Sequence, residues 1–170
     1  MFYRELNVEF PNEIEVGELN IVAVHFINEI LLQIRFNGEL DSTYEVSQKG
    51  LRQGGQRFLA GNTSLDEDDE SEEYGAFADS MADYQVATKL GDSNNTKLHV
   101  ICTQIAELYQ QAILPMNVDG MGSQESASPR NLLLTLSSKI WGGADNDNDF
   151  NKLVYILKSI KEMYIEPSLS

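Results

Sequence analysis

Two histidines and a single cysteine bound the side-chain chemistry open to this chain. His99 precedes Cys102 by three residues, a spacing from which an imidazole could activate a thiol if a third group oriented it. A reactive thiolate also needs an electropositive, partly open setting, whereas Cys102 lies in the apolar stripe of Leu98, Ile105 and Leu108. The expectation is a buried, unreactive cysteine, with His99 on the helix surface or facing a partner. His25 falls inside an apolar strand. Asp145, Asp147 and Asp149 have the opening spacing of a calcium loop, but Phe150 stands where the sharp turn needs Gly and Ile156 where the bidentate Glu belongs. Capping of a helix N-terminus is the expected role. Gly50-Leu51-Arg52-Gln53-Gly54-Gly55 lacks the Lys-Ser or Lys-Thr of a phosphate cradle, and the neighbours Ser138 and Lys139 end a strand, where they point to opposite sides. These residues predict no catalytic, cofactor-binding or metal-ligating site. An enzyme would have to assemble its site from acids and tyrosines in a cleft with perturbed pKa values.

The elements that carry these residues follow from hydrophobic period. Residues 3 to 46 read as a meander of strands at Glu5 to Phe10, Leu19 to Ile27, Ile30 to Phe36 and Leu40 to Val46, with turns at Pro11-Asn12, Asn28-Glu29 and Asn37-Gly38. A further strand is expected over Met81 to Leu90. Apolar residues at helical spacing predict a helix over Thr96 to Leu114, stopped by Pro115, and another over Asn148 to Tyr164 with Phe150, Leu153, Val154, Leu157, Ile160 and Tyr164 on its stripe. Between them, Leu132 to Leu136 is short, apolar and bounded by turn residues, the pattern of a buried strand. The order predicts an α+β fold, a mainly antiparallel sheet of about six strands with two helices packed on one face. The 170 residues suit one domain. Five glycines and an acid run interrupt the periodicity between Gly50 and Gly75, so residues 50 to 78 are expected to form a mobile acidic insertion.

Lys plus Arg number 12 against 27 Asp plus Glu, a net charge of -15, which argues against nucleic acid or an anionic membrane as a direct partner. Seven of those acids lie between Asp66 and Glu73, so about half the excess belongs to one solvated segment. The acidic N-terminus and the lone cysteine suit a reducing compartment, and the expectation is the cytoplasm or the nucleus.

Alternation along the hairpin of residues 20 to 36 sorts its side chains by face. Ile30, Leu32, Ile34 and Phe36 share one side with Ile21, Ala23, His25 and Ile27. Val22, Val24 and Phe26 share the other with Leu31, Gln33 and Arg35, provided that the turn is a two-residue Asn28-Glu29 loop. Both sides are apolar enough to need cover. Two helices of four to five turns cover about one sheet face, so a second polypeptide is expected on the other, near Val22, Val24, Phe26, Gln33 and Arg35.

The segment Glu18-Leu19-Asn20-Ile21-Val22-Ala23-Val24-His25-Phe26 runs through a short turn into Ile30-Leu31-Leu32-Gln33-Ile34, and then Phe36-Asn37-Gly38-Glu39-Leu40 leads to Tyr44-Glu45-Val46. With Thr88-Lys89-Leu90-Gly91, Leu98-His99-Val100, Leu132 to Leu136 and the last helix, this resembles the small proteasome assembly chaperones of the type-3/type-4 pair, and among them the fungal type-3 branch. The resemblance implies a non-enzymatic chaperone without a cofactor. It would pair with a homologous type-4 partner, bind an α-type subunit of the core particle, with α5 the associated contact, and help build the α-ring. The larger chaperone pair of the same pathway docks a C-terminal hydrophobic-Tyr-any tail, which Pro167-Ser168-Leu169-Ser170 does not supply. A heterodimeric α+β scaffold in trafficking or signalling would share the composition and the two-faced hairpin.

Overall fold

In the computed structural model, which describes residues 1–49, 83–121, 130–142 and 146–165, period-two burial builds six strands. They are β1 (Phe2–Glu9), β2 (Glu18–His25), β3 (Glu29–Phe36), β4 (Ser42–Gln48), β5 (Tyr84–Leu90) and β6 (Asn131–Leu136). Helix α1 (Thr96–Leu108) follows β5, and α2 (Asp149–Ile165) closes the described chain. The fold is α+β, one sheet in the order β1-β2-β3-β6-β4-β5 with β3 and β6 parallel and every other pair antiparallel. The acidic segment at 50 to 78 lies outside the described residues.

The meander extends through β1, β2 and β3 only. Asn37 and Gly38, with φ of 51° and 82°, make the tight turn that an Asn-Gly pair favours, and Phe36 bridges Glu39. The chain then leaves β3, whose free edge is taken by β6. A strand with leucines on both sides is better placed in the middle of a sheet than β4, whose open row is Thr43, Glu45 and Ser47. Asp41 fixes this exchange by accepting from the Ser138 amide at 2.8 Å and the Ser138 hydroxyl at 2.6 Å.

Both helices lie on the face formed by Leu19, Ile21, Leu32, Ile34, Leu134 and Tyr44, all fully buried, and the described residues share this one core. Burying each such side chain contributes about 1.5–3 kcal/mol. Asn95 caps α1 by accepting from the Leu98 amide at 3.1 Å. The helix runs past Leu108 through a π-helical turn at Tyr109–Ile113 and a 3-10 turn at Leu114–Met116, ending on Asn117 in the left-handed region. Pro115 thus lies at the start of the closing 3-10 turn rather than beyond the helix, a first-turn position that tolerates its missing N–H.

Helix α2 is rotated from the expected stripe. Phe150 is 70% and Val154 45% exposed, while Lys152, Ile156, Ser159, Ile160, Met163 and Tyr164 are buried. Two contacts account for the rotation. The Lys152 ammonium donates to the Ile140 carbonyl at 2.9 Å and pairs with Glu15 at 3.0 Å, which allows its stem to be buried. Tyr155 donates to the Glu9 carbonyl at 2.7 Å and packs on Phe10, turning that flank toward β1.

Candidate interaction surface

The β2–β3 hairpin closes on Ile27 and Asn28, because His25 faces Ile30 and the Phe26 amide donates to the Glu29 carbonyl at 2.8 Å. The expected Asn28-Glu29 loop is therefore displaced by one residue and the pairing slides by two. A slide of two keeps every side chain on its face. Val22 sits opposite Gln33, Val24 opposite Leu31 and Asn20 opposite Arg35, on the side away from both helices. Phe26 follows at the hairpin end, 41% exposed. The five residues singled out from the sequence thus share one region of the open face.

The register adds residues that strand patterning alone did not select. Tyr3, Val24, Leu31 and Leu133 form one cross-strand row from β1 to β6, continued by Glu45 and Ala87. Beside it run Glu5, Val22, Gln33, Thr135 and Thr43, and beyond these Asn7, Asn20 and Arg35. The signal for Leu133 was present in the apolar run of β6, but its place beside Leu31 depends on a pairing between residues a hundred positions apart.

Polar groups on this face satisfy one another. Glu5 accepts from Tyr3 at 2.5 Å and from Asn20 at 2.9 Å, and these bonds, with the nearby Arg35 charge, hold its carboxyl below the usual carboxylate range. Arg35 donates to Asn20 at 3.3 Å, Thr43 and Thr135 share a hydrogen bond of 3.0 Å, and Glu45 takes Asn131 at 3.3 Å and Lys89 at 3.2 Å. The apolar row is left half-buried between them, on the side away from both helices. Six strands about 4.8 Å apart and about 20 Å long give a flat footprint of about 600 Å². Side-chain relief brings that close to the roughly 800 Å² per partner of a specific interface.

The remaining chemical candidates are buried on the opposite side. Cys102 is fully buried and its thiol is pushed up to about 12 by burial, which makes it inert at neutral pH. His99 is half-buried, edge-on to Tyr44 at 5.6 Å, with Nε2 3.3 Å from the Thr88 hydroxyl. His25 has Nδ1 2.7 Å from Asp119 Oδ2 and Nε2 2.6 Å from the Tyr164 hydroxyl, the order of a nucleophile, base and acid. Yet His25 is fully buried and Tyr164 only 7% exposed, and burial above all raises the Tyr164 phenol far beyond neutral pH. The arrangement ties elements together and offers no substrate a path. Among the described residues no three His, Cys, Asp or Glu side chains converge as metal ligands would. Asp149 opens α2 and pairs with Lys97 at 2.6 Å, whereas Asp145 lies outside the described residues.

Residues 1–161 match the model of a family described as 20S proteasome chaperone assembly proteins 3 and 4. Proteasome chaperone 3 of Saccharomyces cerevisiae (strain ATCC 204508 / S288c) is 51% identical over 159 residues, covering 88% of this chain and 87% of the yeast protein. A solved chain from the "Crystal Structure of a Novel Chaperone Complex for Yeast 20S Proteasome Assembly" superimposes with a TM-score of 0.65 at 47% identity, covering 96% of this chain and 99% of that one. A family model spanning nearly the whole chain, a relative at this identity and a shared fold agree, and the chain belongs to the family of 20S proteasome chaperone assembly proteins 3 and 4.

Proposed function

We propose that this protein is a non-enzymatic chaperone of 20S proteasome assembly that pairs with a homologous type-4 chaperone and, as a heterodimer, binds an α-type subunit, α5, while the α-ring is built. The observation that carries the reading is the open sheet face: an apolar row of Val24, Leu31 and Leu133 beside Val22, bordered by polar groups already paired within the chain. The relative of known structure was crystallised as a chaperone complex, which supports a partner chaperone. The proposed contact is Val22, Val24, Phe26, Gln33 and Arg35, extended by Leu31 and Leu133. The proposed place of action is the cytoplasm or the nucleus, where no cofactor is required.

Co-expression with the type-4 partner and α5 tests this. The expected result is a one-to-one heterodimer that retains α5 through size-exclusion chromatography. Leu31→Asp should abolish pairing while leaving the circular dichroism of the isolated chain unchanged. A chain that stays monomeric beside its partner, or a Leu31→Asp chain that pairs normally, would overturn the assignment of this face.

A further inference from the structure

His25 is fully buried, and both of its ring nitrogens are committed. A carboxylate only accepts, so Asp119 Oδ2 takes the Nδ1 proton, and Nε2 is left as the acceptor for the Tyr164 hydroxyl. The Tyr109 hydroxyl, 2.9 Å from that of Tyr164, then donates to it. Three hydrogens meet three acceptors, and each donor in this relay of His25, Tyr164 and Tyr109 is satisfied.

A fourth proton has no place. With Nε2 protonated, the imidazole donates to Tyr164, only one of the two phenol hydrogens can lie between the two hydroxyls, and the other is left buried with no acceptor among the described residues. Nor is there a free countercharge. Asp119 already accepts from both terminal guanidinium nitrogens of Arg130, at NH1 and at NH2 (3.4 Å), together with the Met121 amide at 3.0 Å. From β1, Phe2 packs 5.0 Å from the imidazole and carries the Arg4 guanidinium over its ring. The charged and titratable groups facing His25 are therefore one carboxylate (Asp119), two cations (Arg130 and Arg4) and two phenols (Tyr164 and Tyr109). A charged imidazole would be a third cation beside a single anion.

We propose that His25 is an acid-operated latch, whose protonation releases the last turn of α2 and the strap at residues 117 to 121 from the end of β2. The three parts meet here: Tyr164 belongs to the end of α2, Asp119 and Met121 to the strap, and His25 to β2. Burial acts in the same sense, holding the imidazole below its ordinary pKa against the pull of Asp119. Above the ordinary histidine pKa of about 6.5 the latch is closed. Below it, the opened form takes up the proton that the closed form refuses. An ordinary histidine opened at pH 5.5 is favoured about tenfold relative to pH 7.5.

Hydrogen exchange of the full chain, corrected for intrinsic rates, reads this directly. Between pH 7.5 and 5.5 the opening constants at residues 160 to 165 and 117 to 121 should rise about tenfold, while residues 149 to 156 stay unchanged. The step should persist in His99→Gln and vanish in His25→Gln. Should His25→Gln fail to fold, the wild-type His25 midpoint followed by NMR carries the test, and it should lie below about 6.5. Equal opening at the two pH values, a wild-type His25 midpoint at or above 6.5, or a step that survives in His25→Gln would overturn the latch.

Discussion

The two faces of the sheet settle their polar groups in opposite ways. On the covered face the few polar side chains reach across the chain: His25 to Asp119 and Tyr164, Lys152 to the Ile140 carbonyl and Glu15. On the open face polar side chains pair with strand neighbours: Glu5 with Asn20, Thr43 with Thr135, Glu45 with Asn131 and Lys89. Bonds from the sheet and helices to other segments make the covered face complete only when those segments are in place. Pairs within the sheet make the open face complete with nothing on it, so a docking partner need only displace water from the apolar row.

Leu133 and Leu134 put this contrast on adjacent residues. Leu134 is fully buried beneath the helices, and Leu134→Ala should cost about 2–5 kcal/mol in urea denaturation, the transfer loss plus the cavity. Leu133 is half-buried on the open side, and Leu133→Ala should cost the isolated chain about 1 kcal/mol or less while weakening the heterodimer. Equal losses in the isolated chain would mean that the open face is packed by this chain's own residues.

Gly17→Ala probes the rim of the covered face. A Cβ there would lie 2.2 Å from Phe36 Cε2 and 2.5 Å from Cζ, and Phe36 is held edge-on against the buried Phe10 at 6.0 Å. The ring must move, at an expected cost of about 1–3 kcal/mol by denaturation. Retained stability would show that the rim is looser than the core behind it.

Face identity was legible in the sequence because it depends only on parity. The rows Ile21, Ala23 and His25 against Val22 and Val24 hold even though the hairpin turn moved by one residue. Neighbour order was not legible: β6 enters between β3 and β4 from far along the chain, and no local pattern in Leu132 to Leu136 names its partners. The same reason hides the His25 cluster, whose members are 94 and 139 residues away. Helix α2 misled for a different reason. Phe150 and Val154 look more buriable than Lys152, and only the Ile140 carbonyl and Glu15, supplied by other segments, reverse that preference. The acid run, the plainest feature of the sequence, lies outside the described residues.

Acid should weaken the covered face first. The His25 pKa is lowered, by burial and against Asp119, so its contribution is complete above the unfolded value of about 6.5 and is lost as pH falls through the folded one. Burial would raise Asp119, but Arg130, His25 and the Met121 amide outweigh it and hold the carboxyl well below the usual carboxylate range. Its contribution is therefore lost only at still lower pH. Between pH 7.5 and 5.5 the loss from His25 is at most about 1.4 kcal/mol, measured as a fall in the urea midpoint that His25→Gln abolishes. An unchanged midpoint would place the charge-sensitive part of the molecule elsewhere.

The smallest effect is expected from Arg35→Glu, and it separates charge from packing on the open face. Arg35 lies at the end of its row and makes one side-chain hydrogen bond, to Asn20, so the isolated chain should keep its stability within about 0.5 kcal/mol. Pairing should weaken by roughly three- to tenfold, chiefly through slower association, because reversing a rim charge alters the field that steers encounter more than the contact that follows. Salt supplies the control. At 0.5 M ionic strength the field is screened within about 4–5 Å, and the variant should approach wild-type affinity. A loss that persists at high salt would mean that Arg35 is desolvated by the partner, which would extend the apolar contact from the Val24–Leu31–Leu133 row to the Asn20–Arg35 row.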